Sequence, residues 1–70
     1  PEAAQTLGLI AALQRRRGRL AQAESTYHTA IALTRRALGD EHPDVAHATN
    51  GLALTLRDQG RLAEADSVQR

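Results

Sequence analysis

The sequence lacks cysteine, methionine, phenylalanine, tryptophan and lysine, and Tyr27 is its only aromatic residue. Without cysteine no disulfide bond and no thiolate metal site can form. This composition suits a reducing compartment, so we expect a cytoplasmic location. Without Phe, Trp and Met, the core has to be built from Leu, Ile, Val, Ala and the single Tyr. The sequence therefore predicts a thin core of small and aliphatic side chains.

Long apolar runs are missing as well. No stretch reaches the length of a membrane-spanning helix or of the apolar part of a signal peptide, so we expect no membrane partner. The 70 residues make at most one small domain, because a chain of this size hides only about 60% of its unfolded surface. Since the chain starts at Pro1 and not at Met, we expect it to be a piece of a longer protein.

An internal repeat organises the chain. Residues 18–25 (GRLAQAES) return 42 positions later as residues 60–67 (GRLAEADS), with six of the eight positions identical. A fixed period of roughly 20–50 residues is the signature of a stacked repeat array. We therefore divide the chain into residues 1–42, a first helical hairpin with its linker, and residues 43–70, a second and truncated hairpin.

Apolar spacing predicts four helices, over residues 1–17, 20–38, 44–59 and 62–70. Gly18 and Gly60 separate the helices of each pair, and Pro43 suits the first turn of the third helix. In the first helix Leu9 and Leu13 form a second apolar stripe beside the hairpin-packing face. A helix that is apolar on two sides is expected to be covered by two neighbours. The third helix carries a small-residue strip that predicts close packing on the long second helix: Ala48, Gly51 and Thr55.

Two strings place these hairpins in a family. The run Ala23-x-x-x-Tyr27-x-x-Ala30 resembles the tetratricopeptide repeat, and ALGDEHPDVA at residues 37–46 is similar to the linker of its kinesin-light-chain type. The resemblance implies an all-α fold, a right-handed solenoid of antiparallel hairpins, here about 1.7 repeats long. It also implies a non-catalytic protein-interaction scaffold that holds an extended or helical peptide on its concave face.

Helical spacing selects the residues that would line this concave face. They occupy one stripe on the first helix and the matching stripe on the third: Gln5, Gly8, Ala12, Arg15, His47, Asn50, Leu54 and Arg57. We expect Arg15 and Arg57 to form a ladder of guanidinium groups for acidic residues of a protein or peptide partner. The alternative is that both are solvated residues near the negative ends of their helices.

Other functions find less support in the sequence. All nine basic residues are Arg, and the cluster at residues 15–19 (RRRGR) would suit binding to phosphates. No aromatic stacking platform accompanies this cluster, and the second copy reads RDQGR. Nucleic acid is therefore an unlikely partner. His42 and His47 are too few and poorly spaced for a metal site. Glu24, Ser25 and His28 imitate a nucleophile and base, but the set does not recur in the second copy and has no oxyanion loop. We expect no enzyme activity, no metal and no cofactor.

Self-association is a competing interpretation. The short last helix leaves three apolar residues that would need cover: Leu62, Ala65 and Val68. Fewer than three repeats seldom hold alone, so the exposed repeat ends would make a homo-oligomer.

Overall fold

The computed structural model describes residues 2–69, and it contains four α-helices and no strand within that range. They are α1 (Glu2–Arg16), α2 (Leu20–Leu38), α3 (Pro43–Asp58) and α4 (Leu62–Gln69). Each helix packs on the next in chain order, and α1 also touches α3. The predicted helices are confirmed to within one residue at each described end. Their outermost predicted residues, Pro1 and Arg70, lie outside the described residues.

The two hairpin turns repeat the same geometry. Gly18 and Gly60 both have φ of +80°, which a residue with a side chain rarely adopts. After each glycine the next backbone N–H donates to a carbonyl five residues back, Arg19 to Gln14 at 2.8 Å and Arg61 to Leu56 at 2.9 Å. This bond closes the last turn of the preceding helix and satisfies one of its free carbonyls. The sequence repeat is therefore also a repeat of local structure.

A histidine caps α3. The backbone N–H of Asp44 donates to Nδ1 of His42 at 3.1 Å, and Pro43 occupies the first helical position. An imidazole nitrogen here takes the place of the Ser, Asp or Asn oxygen that usually caps a helix. It accepts a hydrogen bond from one of the free N–H groups at the helix start.

His42→Ala is expected to lower the free energy of unfolding by about 1 kcal/mol, because the cap acceptor is lost. His42→Asn is the matched control, since its side-chain oxygen can accept the same bond. Urea denaturation followed by circular dichroism measures both variants. Equal losses for Ala and Asn would show that the cap bond does not contribute.

The core lies between α2 and α3 and extends to both outer helices. It is a cluster of aliphatic and small residues around one aromatic ring: Ala11, Ala23, Tyr27, Ile31, Ala48, Leu52, Ala53, Leu56 and Ala65. The small-residue strip of α3 is confirmed, because Ala48 and Thr55 are buried and Gly51 lies against Tyr27. A Cβ placed on Gly51 would lie 2.5 Å from Cε1 and Cζ of that ring. The absence of a side chain at position 51 makes room for the only aromatic residue.

The second apolar stripe of α1 is not covered. Leu9 is 69% exposed and Leu13 is 53% exposed. The prediction that α1 is covered on both sides is therefore wrong for the described chain. The physical reason is that α2 packs on the face of α1 that carries Ala11, which is fully buried, whereas Leu9 borders an open cavity.

The apolar residues of α4 are mostly covered within the chain. Ala65 is 1% exposed and Val68 packs against the core, whereas Leu62 is 65% exposed. The prediction that all three need cover from another molecule is thus wrong for Ala65 and Val68. The turn at Gly60 folds α4 back on α3, which supplies that cover.

Candidate functional site

A cavity of about 440 Å³ opens between α1 and α3. We call it the α1–α3 groove. Seven of the eight residues predicted for the concave face line it: Gln5, Gly8, Ala12, Arg15, His47, Asn50 and Leu54. Arg57, the eighth, is exposed and is not among the lining residues. Residues that are about 40 positions apart in the chain are thus brought to one surface.

The long helix α2 contributes to the groove as well, through Tyr27, Thr34 and Leu38. Leu9 of α1 and Gly51 of α3 also line it. Reasoning from a single stripe on the first helix of each hairpin missed these residues. The small-residue strip on α3 was the available signal, because Gly51 leaves the ring of Tyr27 accessible from the groove side.

Arg15 is the basic residue of the groove. Its Nη1 donates to Oδ2 of Asp58 in α3 at 3.3 Å, and its side chain is 29% exposed. Its Nε is buried and has no hydrogen-bond partner in the part of the chain that the structure describes. Buried donors are normally paired. Arg15 therefore has an unused donor and holds Asp58 by a long, partly exposed bond.

Of the two arginines that were predicted to form a guanidinium ladder, Arg15 and Arg57, Arg15 lines the groove and Arg57 does not. Arg15 belongs to α1, the first helix of the first hairpin. Its guanidinium reaches across to Asp58 of α3, the first helix of the second hairpin. Arg57 occupies the same position in the second repeat. Within residues 2–69 no third hairpin follows, so no further first helix lies beside Arg57 in the way that α3 lies beside Arg15. A contact of Arg57 with a partner outside the groove stays a prediction.

Glu24, which resembled part of a catalytic set, belongs to an ion-pair network. Its carboxylate accepts a 2.6 Å bond from Nη1 of Arg61 and lies 3.9 Å from Nε2 of His28. Arg61 also donates to Glu64. The hydrogen bonds from Glu64 and Glu24 raise the pKa of Arg61, and the Arg61 bond lowers the pKa of the Glu64 carboxyl. This network ties α2 to the start of α4.

The two histidines also have separate places. His42 caps α3 and His47 lines the groove. Within residues 2–69 no group of three or more His, Asp or Glu side chains is arranged to hold a metal ion. None of the helices in that range combines the length and the apolar character needed to cross a membrane.

Comparison with known families finds a match. The tetratricopeptide repeat model matches residues 2–70. No curated protein and no solved structure gave a significant match. Tetratricopeptide repeats generally mediate protein–protein interactions as scaffolds that do not themselves catalyse reactions. Because the match spans nearly the whole sequence, and four helices in two like hairpins agree with it, the chain belongs to the tetratricopeptide repeat family.

Proposed function

We propose that the α1–α3 groove binds a segment of a partner protein in an extended or helical conformation. The observation that carries the proposal is the meeting of seven stripe residues from two repeats around one cavity of about 440 Å³. Cavities of roughly 300–1,000 Å³ are typical of ligand sites, and this one is large enough to receive side chains of a peptide.

The lining residues indicate what kind of segment would fit. Leu9 and Leu54 supply apolar surface. Gly8 has no side chain and Ala12 has only a methyl group, so the α1 side of the groove leaves space for a side chain of the partner. At one end Arg15 offers a guanidinium on a side chain that is 29% exposed. An arginine binds carboxylates through two parallel bonds, which a single long contact to Asp58 does not use up. We infer a partner segment with an apolar side chain followed or preceded by an acidic one.

We also assign the chain to the kinesin-light-chain type of the family. The support is the linker string at residues 37–46 and the length of α2, which spans 19 residues. The repeat period of 42 leaves room for that long helix. Sequence comparison of a longer part of the protein tests this assignment, because repeats of the usual shorter period on either side would contradict it.

Arg15→Gln is expected to weaken binding of an Asp- and Glu-containing peptide pool by roughly tenfold, because it removes a charge-assisted hydrogen bond. Fluorescence anisotropy of the labelled pool measures this, with the same pool carrying Asn and Gln in place of Asp and Glu as reference. Arg57→Gln is the matched control. It removes the same charge from the equivalent repeat position outside the groove and should leave binding nearly unchanged.

Asp58→Asn tests the role of Arg15 by changing its hydrogen-bond partner within the chain. The exchange frees Arg15 from its internal partner, so affinity for the acidic pool should rise or stay the same. Loss of a partly exposed ion pair costs at most about 1 kcal/mol of stability, so the fold should survive in both variants. Equal weakening by Arg15→Gln and Arg57→Gln would show that only overall charge matters and would contradict a specific role for Arg15.

Gly8→Leu is expected to block the groove without harming the fold. A Cβ on Gly8 meets no atom within 4 Å, so the new side chain projects into open space. Replacing a helical glycine also stabilises the helix by about 0.5–1 kcal/mol. Peptide binding should fall while the thermal midpoint rises. Gly8→Ala is the control, since it gives the same stabilisation but adds only a methyl group, and unchanged binding by Gly8→Leu would place the peptide site elsewhere.

A further inference from the structure

Tyr27 brings a hydroxyl group from the core to the α1–α3 groove. The residue is only 5% exposed and belongs to the core cluster, yet it also lines the groove. The tip of its ring is the part that lies against Gly51, because a Cβ on that glycine would be 2.5 Å from Cζ and 2.7 Å from Oη. Gly51 lines the groove as well. The missing side chain at position 51 therefore leaves the tip of the tyrosine beside the groove.

This hydroxyl has no hydrogen-bond partner within residues 2–69. Thr34 also lines the groove, but its hydroxyl donates to the backbone carbonyl of Ala30 at 2.7 Å. The buried side-chain atom that lacks a partner in the described range is Nε of Arg15 and not Oη of Tyr27, so the tyrosine oxygen reaches a surface. A phenol hydroxyl can both donate and accept. It is thus free to bond to a group that enters the groove.

We propose that Tyr27 determines the specificity of the groove by donating a hydrogen bond to an acceptor at the tip of a partner side chain about as long as Gln. The inference rests on the peptide binding proposed above and adds a chemical requirement that Arg15 does not supply. The way to the hydroxyl is open on the α1 side, where Gly8 and Ala12 line the groove. A Cβ on Gly8 meets no atom within 4 Å.

An apolar side chain of the same length is a poor occupant of this position. It would cover the Tyr27 hydroxyl, remove it from water and offer no hydrogen bond in return. A buried polar group without a partner costs more free energy than a paired one gains. Sites built to bond a polar group reject analogues that lack it far more strongly than apolar pockets reject an extra methylene group. Gln and Met are a matched pair for this test, because both are unbranched and similar in length but only Gln ends in a hydrogen-bonding group.

Two peptide pools and two proteins form the test. Both pools carry a fixed Asp among Ala and Leu residues and contain no aromatic residue. They differ at one further position, which is Gln in one pool and Met in the other, and its spacing from the Asp varies within each pool. Fluorescence anisotropy measures the affinity of each labelled pool for the native chain and for Tyr27→Phe, which keeps the ring and removes the hydroxyl. Because Tyr27 is the only aromatic residue, tyrosine absorbance with the unlabelled pools reports on this hydroxyl alone.

The native chain should bind the Gln pool roughly tenfold more tightly than the Met pool, and Tyr27→Phe should abolish or reverse this preference. Tyrosine absorbance should move to longer wavelength with the Gln pool, because the phenol donates to an acceptor, and should not do so with the Met pool. Arg15→Gln should weaken both pools alike and leave their ratio unchanged.

The two proposals for the groove fail in different ways. The same ratio of Gln to Met affinity for the native chain and for Tyr27→Phe would overturn the role of Tyr27 and leave peptide binding in the groove intact. Failure of both pools to bind either protein would overturn the binding function of the groove and this inference with it.

Discussion

Tyr27→Ala is expected to destabilise the chain by about 3 kcal/mol or more, the largest loss that we expect from any truncation. The ring is 5% exposed and is the only aromatic group in the core. Its surroundings include Ala11, Ala23 and Ala48, whose short side chains cannot move in to fill the space. A domain of this size has roughly 4–10 kcal/mol of stability, so the variant should be partly unfolded at physiological temperature.

Urea denaturation followed by far-ultraviolet circular dichroism measures this loss. Tyr27→Phe keeps the ring and should stay close to the native midpoint. Leu13→Ala also removes an apolar side chain, but from a residue that is 53% exposed, and should change the midpoint little. If Tyr27→Ala and Leu13→Ala cost the same, the ring does not have the central packing role that the structure gives it.

Gly51→Leu is expected to destabilise by a comparable amount, about 3 kcal/mol, through overpacking. Its Cβ would start 2.5 Å from Cε1 and Cζ of the Tyr27 ring, so the ring would have to leave its packed position in the core. Helix propensity alone predicts the opposite sign, because any residue except proline stabilises a helix relative to glycine. Gly8→Leu, where space is open, should show that gain. The same substitution in two helices thus has opposite expected effects.

The combination of Gly51→Leu with Tyr27→Ala tests the cause. If overlap with the ring is the source of the loss, the double variant should be more stable than the sum of the two single losses predicts. A thermal or urea midpoint for the four proteins gives the coupling free energy. Simple additivity would indicate that Gly51 is needed for another reason.

Local features of the sequence predicted much of the fold. The glycines at positions 18 and 60 mark the two turns because few other residues adopt positive φ, and Pro43 marks the start of α3 because its ring suits a first helical turn. Helical spacing then placed stripes on α1 and α3 that line one groove. These features depend on residues close together in the chain, so a single sequence is enough to find them.

Contacts across the hairpins were harder to predict. Periodicity shows that Leu9 and Leu13 share a face, but it does not show whether a neighbour covers that face. The Arg15–Asp58 pair joins residues 43 apart, and neither side chain carries a local sign of its partner. Gln14 accepts a 2.8 Å bond from Oγ1 of Thr26 and so links α1 to α2 by a polar contact. The sequence around His42 gave no sign that its ring nitrogen would cap α3.

The most direct test of the central claim is an NMR titration of the ¹⁵N-labelled chain with a peptide selected from the acidic pool. The account predicts that backbone amide shifts change in two separate stretches, on α1 around Gly8 and Arg15 and on α3 around His47 and Leu54, and that the Arg15 side-chain Nε–H signal moves with them. Shifts confined to the outer surfaces of α2 and α4, or spread evenly over all four helices, would contradict a binding groove between α1 and α3.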